Sequence, residues 1–328
     1  MQSNNNMTHT NTTHPLVMGI INVNEDSFYS ESRCNNIQSF SRQLSTMISQ
    51  GASIIDIGAC STRPGSQSIS MEEEWRLLEG PLDYIAKQLP DSPNGCGVRI
   101  SIDTFRSGIV RRAYDKIGSF IVNDISAGED DPMMLTTVGE LGLEYIAMHK
   151  RGTPSTMQQL CHYPNGVVRE VADYFIKFEE KIASCGIKDY ILDPGFGFAK
   201  TVEQNYELFS AMPQLMQLVA NGSHSTRLPS DSSTGKAICG NTFSKDNSSG
   251  EALTGDTTGR RRRLLVGISR KSMIYKPLGI TPETSLTATA ALNLQALMLG
   301  ADILRVHDVK EAVECLKLHQ LLTQKPQP

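Results

Sequence analysis

The chain has 328 residues, of which 39% are apolar and 20% charged, a composition typical of a globular protein with one large or two ordinary domains. Its net charge of −4 excludes binding to nucleic acid through a strongly basic overall field, so no nucleic-acid partner is expected. The seven cysteines are odd in number and form no Cys-x-x-Cys pair, which disfavours a disulfide framework or a zinc site and favours a reducing compartment.

The N-terminal stretch shows no sign of a targeting segment. Residues 1–14 are polar and rich in Asn and Thr, without the apolar centre of a signal peptide. No run elsewhere approaches the ~18 apolar residues that a membrane-spanning helix needs. We therefore expect a flexible tail at 1–14, a cytoplasmic protein and no membrane partner.

Short apolar runs that end in polar residues recur along the chain and predict eight β-strands. Each run is four to six residues long or close to it, the ordinary length of a strand buried on both faces. The predicted strands are 17–21, 53–57, 98–102, 119–122, 143–148, 190–192, 264–268 and 302–306.

Segments with helical spacing separate these strands. Ser70 with Glu73 and Thr201 with Gln204 have the spacing of a capping box at a helix start, and Pro132 suits the first position of another helix. Glycines close several of the segments. The predicted helices are 38–50, 70–89, 107–117, one that starts at 131–132, 167–185, 201–220, 281–300 and 311–321.

The composition changes at residues 221–262, where Ser, Thr, Gly, Asn and Asp dominate and apolar periodicity disappears. This predicts a flexible insertion. It ends in four arginines, 260–263, which would suit either a nucleic-acid patch or, more commonly, a solvated linker. We therefore expect one domain over 15–323, interrupted by the insertion at 221–262 and followed by a C-terminal tail at 324–328.

Strands that alternate with helices predict parallel pairing, and eight such units predict an α/β fold, the (β/α)8 TIM barrel. A doubly wound open sheet is the alternative. Against it, no Gly-x-Gly-x-x-Gly follows the first strand.

In a TIM barrel the carboxyl ends of the strands meet at the face that carries the site. Carboxylates and amides there suit the edges of a flat nitrogenous heterocycle, and cationic groups suit phosphate oxygens. Each residue also has a structural alternative: Arg305 would pair with Asp302 or Asp308, and His149 would be a satisfied supporting residue rather than a catalyst. The residues at predicted strand ends are Asn22, Asp103, Asn123, His149, Asp193, Lys271, Arg305 and His307.

Eight motifs, spread from residue 18 to residue 308, resemble those of the dihydropteroate synthase family. The resemblance covers nearly the whole chain apart from the insertion. The motifs are Met-Gly-Ile-Ile-Asn-Val-Asn-Glu-Asp-Ser-Phe (18–28), Ser-Thr-Arg-Pro-Gly (61–65), Ser-Ile-Asp-Thr (101–104), Val-Asn-Asp (122–124), Met-His-Lys-Arg-Gly (148–152), Leu-Asp-Pro-Gly-Phe-Gly-Phe (192–198), Gly-Ile-Ser-Arg-Lys-Ser (267–272) and Arg-Val-His-Asp (305–308).

The resemblance implies a transferase of folate biosynthesis that condenses (7,8-dihydropterin-6-yl)methyl diphosphate with p-aminobenzoate, giving 7,8-dihydropteroate and diphosphate. It also implies a dissociative mechanism assisted by Mg²⁺, a homodimer and inhibition by sulfonamides. Two alternatives remain open. A pterin-binding methyltransferase shares the barrel but should lack the cationic Arg270-Lys271, and intact Asn22, Arg63 and Lys271 argue against a catalytically silent pterin-binding paralogue.

The same resemblance implies roles for individual residues. Asp103, Asp193, Lys271 and Arg63 would be catalytic, and Asn22 would hold the metal. The binding residues would be Asp103, Asn123, Met148, Asp193 and Lys271 for the pterin, Asn22, Arg63, Arg305 and His307 for the diphosphate, and Phe28, Thr62, Pro64, Phe198 and Ser272 for p-aminobenzoate.

Two positions depart from the family pattern. Asn24-Glu25 stands where the family has Thr-Pro, and Cys60 stands where it has an acidic residue before Ser61. The first departure alters the loop after the first strand.

Overall fold

A computed structural model of the chain describes residues 14–23, 33–60, 69–88, 97–153, 155–225 and 262–324. Its eight strands pair in chain order, all in parallel, and β1 also pairs with β8, so the sheet closes. The prediction of a TIM barrel is confirmed and the doubly wound alternative is wrong. The strands are β1 (Leu16–Asn22), β2 (Ile54–Gly58), β3 (Arg99–Asp103), β4 (Ile121–Asp124), β5 (Glu144–Met148), β6 (Tyr190–Asp193), β7 (Arg263–Val266) and β8 (Ile303–Val306).

Helices follow the strands around the outside of the barrel. None of those in the described ranges is both long and apolar enough to cross a membrane. The helices are α1 (Arg33–Ser49), α2 (Met71–Gln88), α3 (Ser107–Ile117), α4 (Met134–Leu141), α5 (Val167–Ala183), α6 (Val202–Ser210), α7 (Met212–Ser225), α8 (Ser272–Leu278), α9 (Leu286–Met298) and α10 (Val309–Thr323).

Both predicted capping boxes are present. The backbone N–H of Ser70 donates to Oε2 of Glu73 at 2.8 Å, and the N–H of Glu73 donates back to Oγ of Ser70 at 3.2 Å. Thr201 and Gln204 make the same reciprocal pair at the start of α6. These bonds satisfy N–H groups that a helix start leaves without intrahelical partners.

Four predicted helices have clearly different bounds. The helix predicted at 38–50 begins five residues earlier, as α1 at Arg33. The segment 201–220 divides at Ala211 into α6 and α7, because Pro213 lacks an N–H and its ring clashes with the preceding turn. Residues 131–132 form a turn before α4, in which Oδ1 of Asp131 accepts the N–H of Met133 at 2.9 Å. Residue 281 begins a turn, and α9 starts only at Leu286. The short helix α8 was not predicted.

The interior of the barrel is filled by apolar side chains from seven of its eight strands. They form a cluster separate from the larger core between sheet and helices. We call this cluster the barrel plug, and its members are Met18, Ile54, Ile121, Ile146, Ile191, Leu265 and Ile303.

The end of the predicted insertion is not a solvated linker. Arg262 pairs with Glu179 of α5, and only 1% of the Arg262 side chain is exposed. Arg263 begins β7 and pairs with Glu144 of β5. These two arginines therefore anchor the start of β7 to α5 and β5, at the end of the barrel opposite the predicted site. The start of the predicted insertion, 221–225, completes α7, and 226–261 lies outside the described residues.

Deleting Ser223 to Gly259 should leave activity largely unchanged. Gly222 lies so close to α5 that an added Cβ would be 2.1 Å from Cδ1 of Ile176, and Arg262 is bound to Glu179 one turn further along α5. The two ends of the segment therefore lie on one face of one helix. Since loop length changes stability by only ~0.6 kcal/mol per doubling, a short linker should suffice. A deletion variant that keeps its melting temperature but loses turnover would contradict this expectation.

Candidate active site

The pocket at the carboxyl ends of the strands follows from the two-residue period of β-structure. Side chains two positions apart point to the same face of a strand. Residues two positions after the barrel plug therefore also point inward, one layer closer to the carboxyl ends. They are Ile20, Asp56, Asn123, Met148, Asp193, Gly267 and Arg305.

Five of these residues line one pocket, Asn123, Met148, Asp193, Gly267 and Arg305. Its volume is about 310 Å³, including the space at its open mouth. All five residues assigned to the pterin from the sequence line it. The lining residues are Asp103, Asn123, Ile125, Met148, Asp193, Phe198, Gly267, Lys271 and Arg305.

Asp56 supports this pocket from below, and sequence reasoning missed it. Its fully buried carboxylate accepts hydrogen bonds from Oγ of Ser101 at 2.6 Å, Nδ2 of Asn123 at 3.0 Å and Nε of Arg305 at 2.7 Å. The sequence feature that could have identified Asp56 is its position as an acidic residue inside the apolar run 54–57. A charge there is tolerated only when partners compensate it.

Arg305 lies among carboxylates inside the pocket. Its Nη2 atom donates to Oδ2 of Asp103 at 2.7 Å, and it also pairs with Asp56. The alternative pairing with Asp302 or Asp308 is wrong. Oδ2 of Asp302 accepts the N–H of Leu264, and Asp308 binds Arg270 through two bonds of 2.9 and 2.6 Å.

Asp193 and Lys271 lie on either side of the loop after β6. The N–H of Gly195 donates to Oδ1 of Asp193 at 2.8 Å. Nζ of Lys271 donates to the carbonyl oxygen of Phe196 at 2.7 Å and lies 5.0 Å from the ring centroid of Phe198. The loop thus orients a carboxylate and a cation toward the same space.

Burial shifts the protonation of these groups. It raises the pKa of Asp193, although the ammonium of Lys271 opposes the change. It also raises the pKa of Asp103, against the effect of Arg305. Burial lowers the pKa of Lys271 to about 8, and Asp193 opposes this shift. The pocket therefore pairs carboxylates with cations in a poorly solvated space, where each charge acts strongly on the others.

The remaining predicted residues lie around this pocket or outside the described ranges. Asn22 ends β1 and is half-buried, and Ser272 is the first residue of α8. His307 is exposed, with Nδ1 3.2 Å from Oγ of Ser269. His149 is buried against Lys200 and does not line the pocket, which fits a supporting residue. Phe28, Thr62, Arg63 and Pro64 lie outside the described residues, so their roles stay predictions.

Within the described residues, no three His, Cys, Asp or Glu side chains form a group that would hold a metal ion. A site built on the amide oxygen of Asn22 fits an ion that takes few protein ligands. Mg²⁺ is such an ion, because it keeps several waters and prefers phosphate oxygens.

Comparisons with known proteins agree with one another. The family model described as "Pterin binding enzyme" matches residues 18–307. Dihydropteroate synthase of Escherichia coli K12 is 35% identical over 311 residues, covering 93% of this chain and 91% of that protein. The structure of dihydropteroate synthase from Clostridium difficile in the presence of pteroic acid has a TM-score of 0.75 at 28% identity, covering 95% and 98% of the two chains. The Yersinia pestis enzyme in a sulfonamide drug complex has a TM-score of 0.73 at 29% identity, with 94% of each chain covered.

Proposed function

The chain belongs to the pterin-binding enzymes, among the dihydropteroate synthases, and on this premise we propose that its barrel pocket holds the pterin ring of the diphosphate substrate. The observation that carries the proposal is the meeting of Asp103, Asn123, Met148, Asp193 and Lys271 in one pocket. Carboxylate and amide oxygens there match the N–H edge of a pterin. The lysine matches its carbonyl and the nearby diphosphate.

In the proposed reaction, the bond between the pterin methylene carbon and the diphosphate oxygen breaks first, and its electron pair leaves with diphosphate. The buried carboxylates of Asp103 and Asp193 stabilise the positive charge that develops on the pterin. Such prearranged electrostatics is usually the largest catalytic contribution. The nitrogen of p-aminobenzoate then bonds to the methylene carbon and gives up a proton to water, so no side-chain nucleophile is required.

We assign the leaving group to Asn22, Arg63, Arg305 and His307. Asn22 would hold a Mg²⁺ ion together with the diphosphate, and the ion would neutralise part of the charge of the leaving group. Arg305 is held among carboxylates, so contact with the diphosphate requires it to turn from Asp56 or Asp103 when substrate binds. Phe28, Thr62, Pro64, Phe198 and Ser272 would form the pocket for p-aminobenzoate.

We also propose a homodimer in the cytoplasm. Leu318, Leu321 and Leu322 are exposed together on α10, and apolar patches of this kind commonly mark protein interfaces. Free thiols support a reducing compartment. The cysteines whose side chains are described, all of them free, are Cys60, Cys161, Cys185 and Cys315.

The direct test is an assay of diphosphate release with each substrate alone and with both. Release that requires both substrates and yields dihydropteroate is expected. Release without p-aminobenzoate would indicate hydrolysis of the pterin ester. No release under any condition, with pterin binding retained, would favour the silent paralogue.

The pH profile should report Lys271. Because its pKa is lowered to about 8, Lys271 loses its positive charge as pH rises through that value. We expect kcat/KM for the pterin substrate to fall about tenfold per pH unit above the basic limb. Lys271→Arg keeps its charge at all these pH values, so the limb should disappear whatever its remaining activity. The same basic limb in both enzymes would assign it to another group, such as the buried Lys200, whose pKa is lowered to about 7.

Sulfonamides should compete with p-aminobenzoate. The related Yersinia pestis enzyme was solved in a sulfonamide drug complex. The aniline end and acidic group of a sulfonamide resemble p-aminobenzoate. Phe198, which we assign to p-aminobenzoate, lines the pterin pocket, so the two binding sites should adjoin there. Initial rates at several p-aminobenzoate concentrations should show inhibition that excess p-aminobenzoate relieves. Inhibition that excess p-aminobenzoate leaves unchanged would count against this pocket.

A further inference from the structure

Lys200 is a buried lysine that the mechanism above does not use. Only 3% of the residue is exposed, and it directly follows residues 194–199, which we call the β6 loop. Its Nζ atom lies 3.0 Å from Nδ1 of His149, 2.9 Å from the carbonyl oxygen of Gly195 and 3.1 Å from that of Phe198. An ammonium has three N–H donors, so each donor has an acceptor among the described residues.

The β6 loop needs such support because its backbone is unusual. Gly195, Gly197 and Ala199 have φ values of 66°, 84° and 50°. Glycine adopts this region freely, whereas alanine is strained there. Lys200 binds the carbonyls of Gly195 and Phe198, and the hydroxyl of Tyr163 donates to the carbonyl of Ala199 at 3.0 Å. Side chains thus replace the regular bonding that the loop lacks.

The shape of this loop sets the positions of pocket groups. Its Gly195 N–H binds Asp193, its Phe196 carbonyl binds Lys271, and its Phe198 ring lines the pocket. A loop that relaxed would therefore displace both a carboxylate and a cation from the space assigned to the pterin.

His149, directly after β5, is the side chain that Lys200 contacts outside the β6 loop. When Lys200 is an ammonium, which only donates, Nδ1 of His149 accepts and the ring proton is on Nε2. Burial lowers the pKa of His149 well below its usual value, and the charge of Lys200 lowers it further, so the ring stays neutral. The ring packs edge-on against Tyr174 with 4.9 Å between centroids. Lys200 therefore connects the β6 loop to a fixed residue at the end of β5.

We propose that Lys200 is a positioning residue for this reaction: its ammonium ties the end of β5 to the β6 loop and so holds Asp193 and Lys271 in the geometry that binds the pterin. The inference rests on the proposed pterin pocket. Lysine suits the position because it brings three donors and a charge on a slender chain. Methionine, an apolar side chain of similar length, loses both.

The charge adds a measurable consequence. Burial lowers the pKa of Lys200 to about 7, and the carboxylate of Asp193 opposes this shift, so the cation is present on the acid side of that pH, where the acid limb is measured. The other charged or titratable groups that face Lys200 are Lys271, Arg151, Cys161 and the neighbouring His149. Burial raises the pKa of Asp193, and the cation of Lys200 opposes that rise, after Lys271, Gly195 and Arg305. Removing that cation should raise the pKa of Asp193. The acid limb of the pH profile, below which Asp193 is protonated, then moves to higher pH.

The experiment compares Lys200→Met with Lys188→Met, an exposed lysine before the opposite end of β6. We expect Lys200→Met to lower kcat/KM for the pterin substrate by about 10- to 100-fold, mainly through KM, because small misplacements are costly. Its acid limb should move upward, which a general loss of stability would not produce. Lys188→Met should change neither quantity. His149→Gln retains the cation and offers an amide oxygen, so its acid limb should stay in place.

A folded Lys200→Met enzyme with the parent KM for the pterin substrate and an unmoved acid limb would overturn the proposal. If that variant does not accumulate as folded protein, Lys200→Gln is measured in the same way, and an unmoved limb there overturns it equally. Asp193→Asn in the same assay distinguishes failure of the proposed pterin pocket from failure of the proposed role of Lys200. An active Asp193→Asn refutes the pterin pocket itself, whereas an inactive one beside an unaffected Lys200→Met refutes only the role of Lys200.

Discussion

Replacing Asp193 with asparagine is expected to nearly abolish turnover while leaving the fold intact. In the proposed pterin pocket Asp193 accepts two N–H groups of the ring edge, and the variant loses these two charge-assisted hydrogen bonds, each worth about 1.5–3 kcal/mol. Their sum corresponds to a loss of roughly 10²- to 10⁴-fold in kcat/KM. The fold should survive because asparagine Oδ1 can still accept the N–H of Gly195. The measurement is kcat/KM for the pterin substrate together with the melting temperature.

The asparagine amide also presents N–H groups to a ring edge that itself donates, which weakens pterin binding further. Asp173→Asn is the matched control. Asp173 lies on the surface of α5 and pairs with Arg169 at 2.9 Å, a contact that contributes little to stability and none to the pocket. Near-normal kcat/KM in Asp193→Asn would remove Asp193 from the pterin site.

Replacing Asp56 with alanine is expected to destabilise the protein by about 3–5 kcal/mol, because it leaves the buried cation of Arg305 short of a partner. The hydroxyl of Ser101 and the amide of Asn123 lose their acceptor as well. Activity should fall with stability, since Asn123 and Arg305 both line the pocket. Urea denaturation of the purified variant measures the free energy of unfolding.

Asp83→Ala is the control for this prediction. Asp83 pairs with Lys116 at 2.6 Å near the surface, with 48% of its side chain exposed, and its removal should cost less than about 1 kcal/mol. The double variant Asp56→Ala with Arg305→Met should unfold less easily than Asp56→Ala alone. No cation short of a partner remains, and Asp103, whose pKa burial raises to about 7, can take up a proton once Arg305 is gone. A single Asp56 variant as stable as Asp83→Ala would contradict the supporting role of Asp56.

Most of the pocket could be predicted from the sequence because the relevant signals are local. An apolar run followed by a polar residue marks a strand end, as at Asp103 and Asp193, and parallel strands bring such ends together. The capping boxes at Ser70 and Thr201 could also be predicted, since all the atoms of each box lie within four residues.

Partnerships between distant residues could not be predicted in this way. Arg305 was predicted to bind the diphosphate, with its sequence neighbours Asp302 or Asp308 as the structural alternative, but it binds Asp56, 249 positions away. Only closure of the barrel, which sets β8 beside β1, brings the two together. Lys200 and His149, 51 positions apart, were likewise not connected. Arg262 was assigned to a linker, because its burial depends on Glu179 of another helix.

The sequence by itself thus determined the barrel, the family and the identity of the side chains at the strand ends, because alternation, strand length and motif order are properties of the chain. The tertiary structure alone decided which charges meet. Asp308 binds Arg270, Asp56 and Asp103 bind Arg305, and Lys200 binds a neutral histidine and two carbonyls. The physical reason is that a buried charge needs a partner within hydrogen-bond distance, and strand register and barrel closure determine which groups come that close.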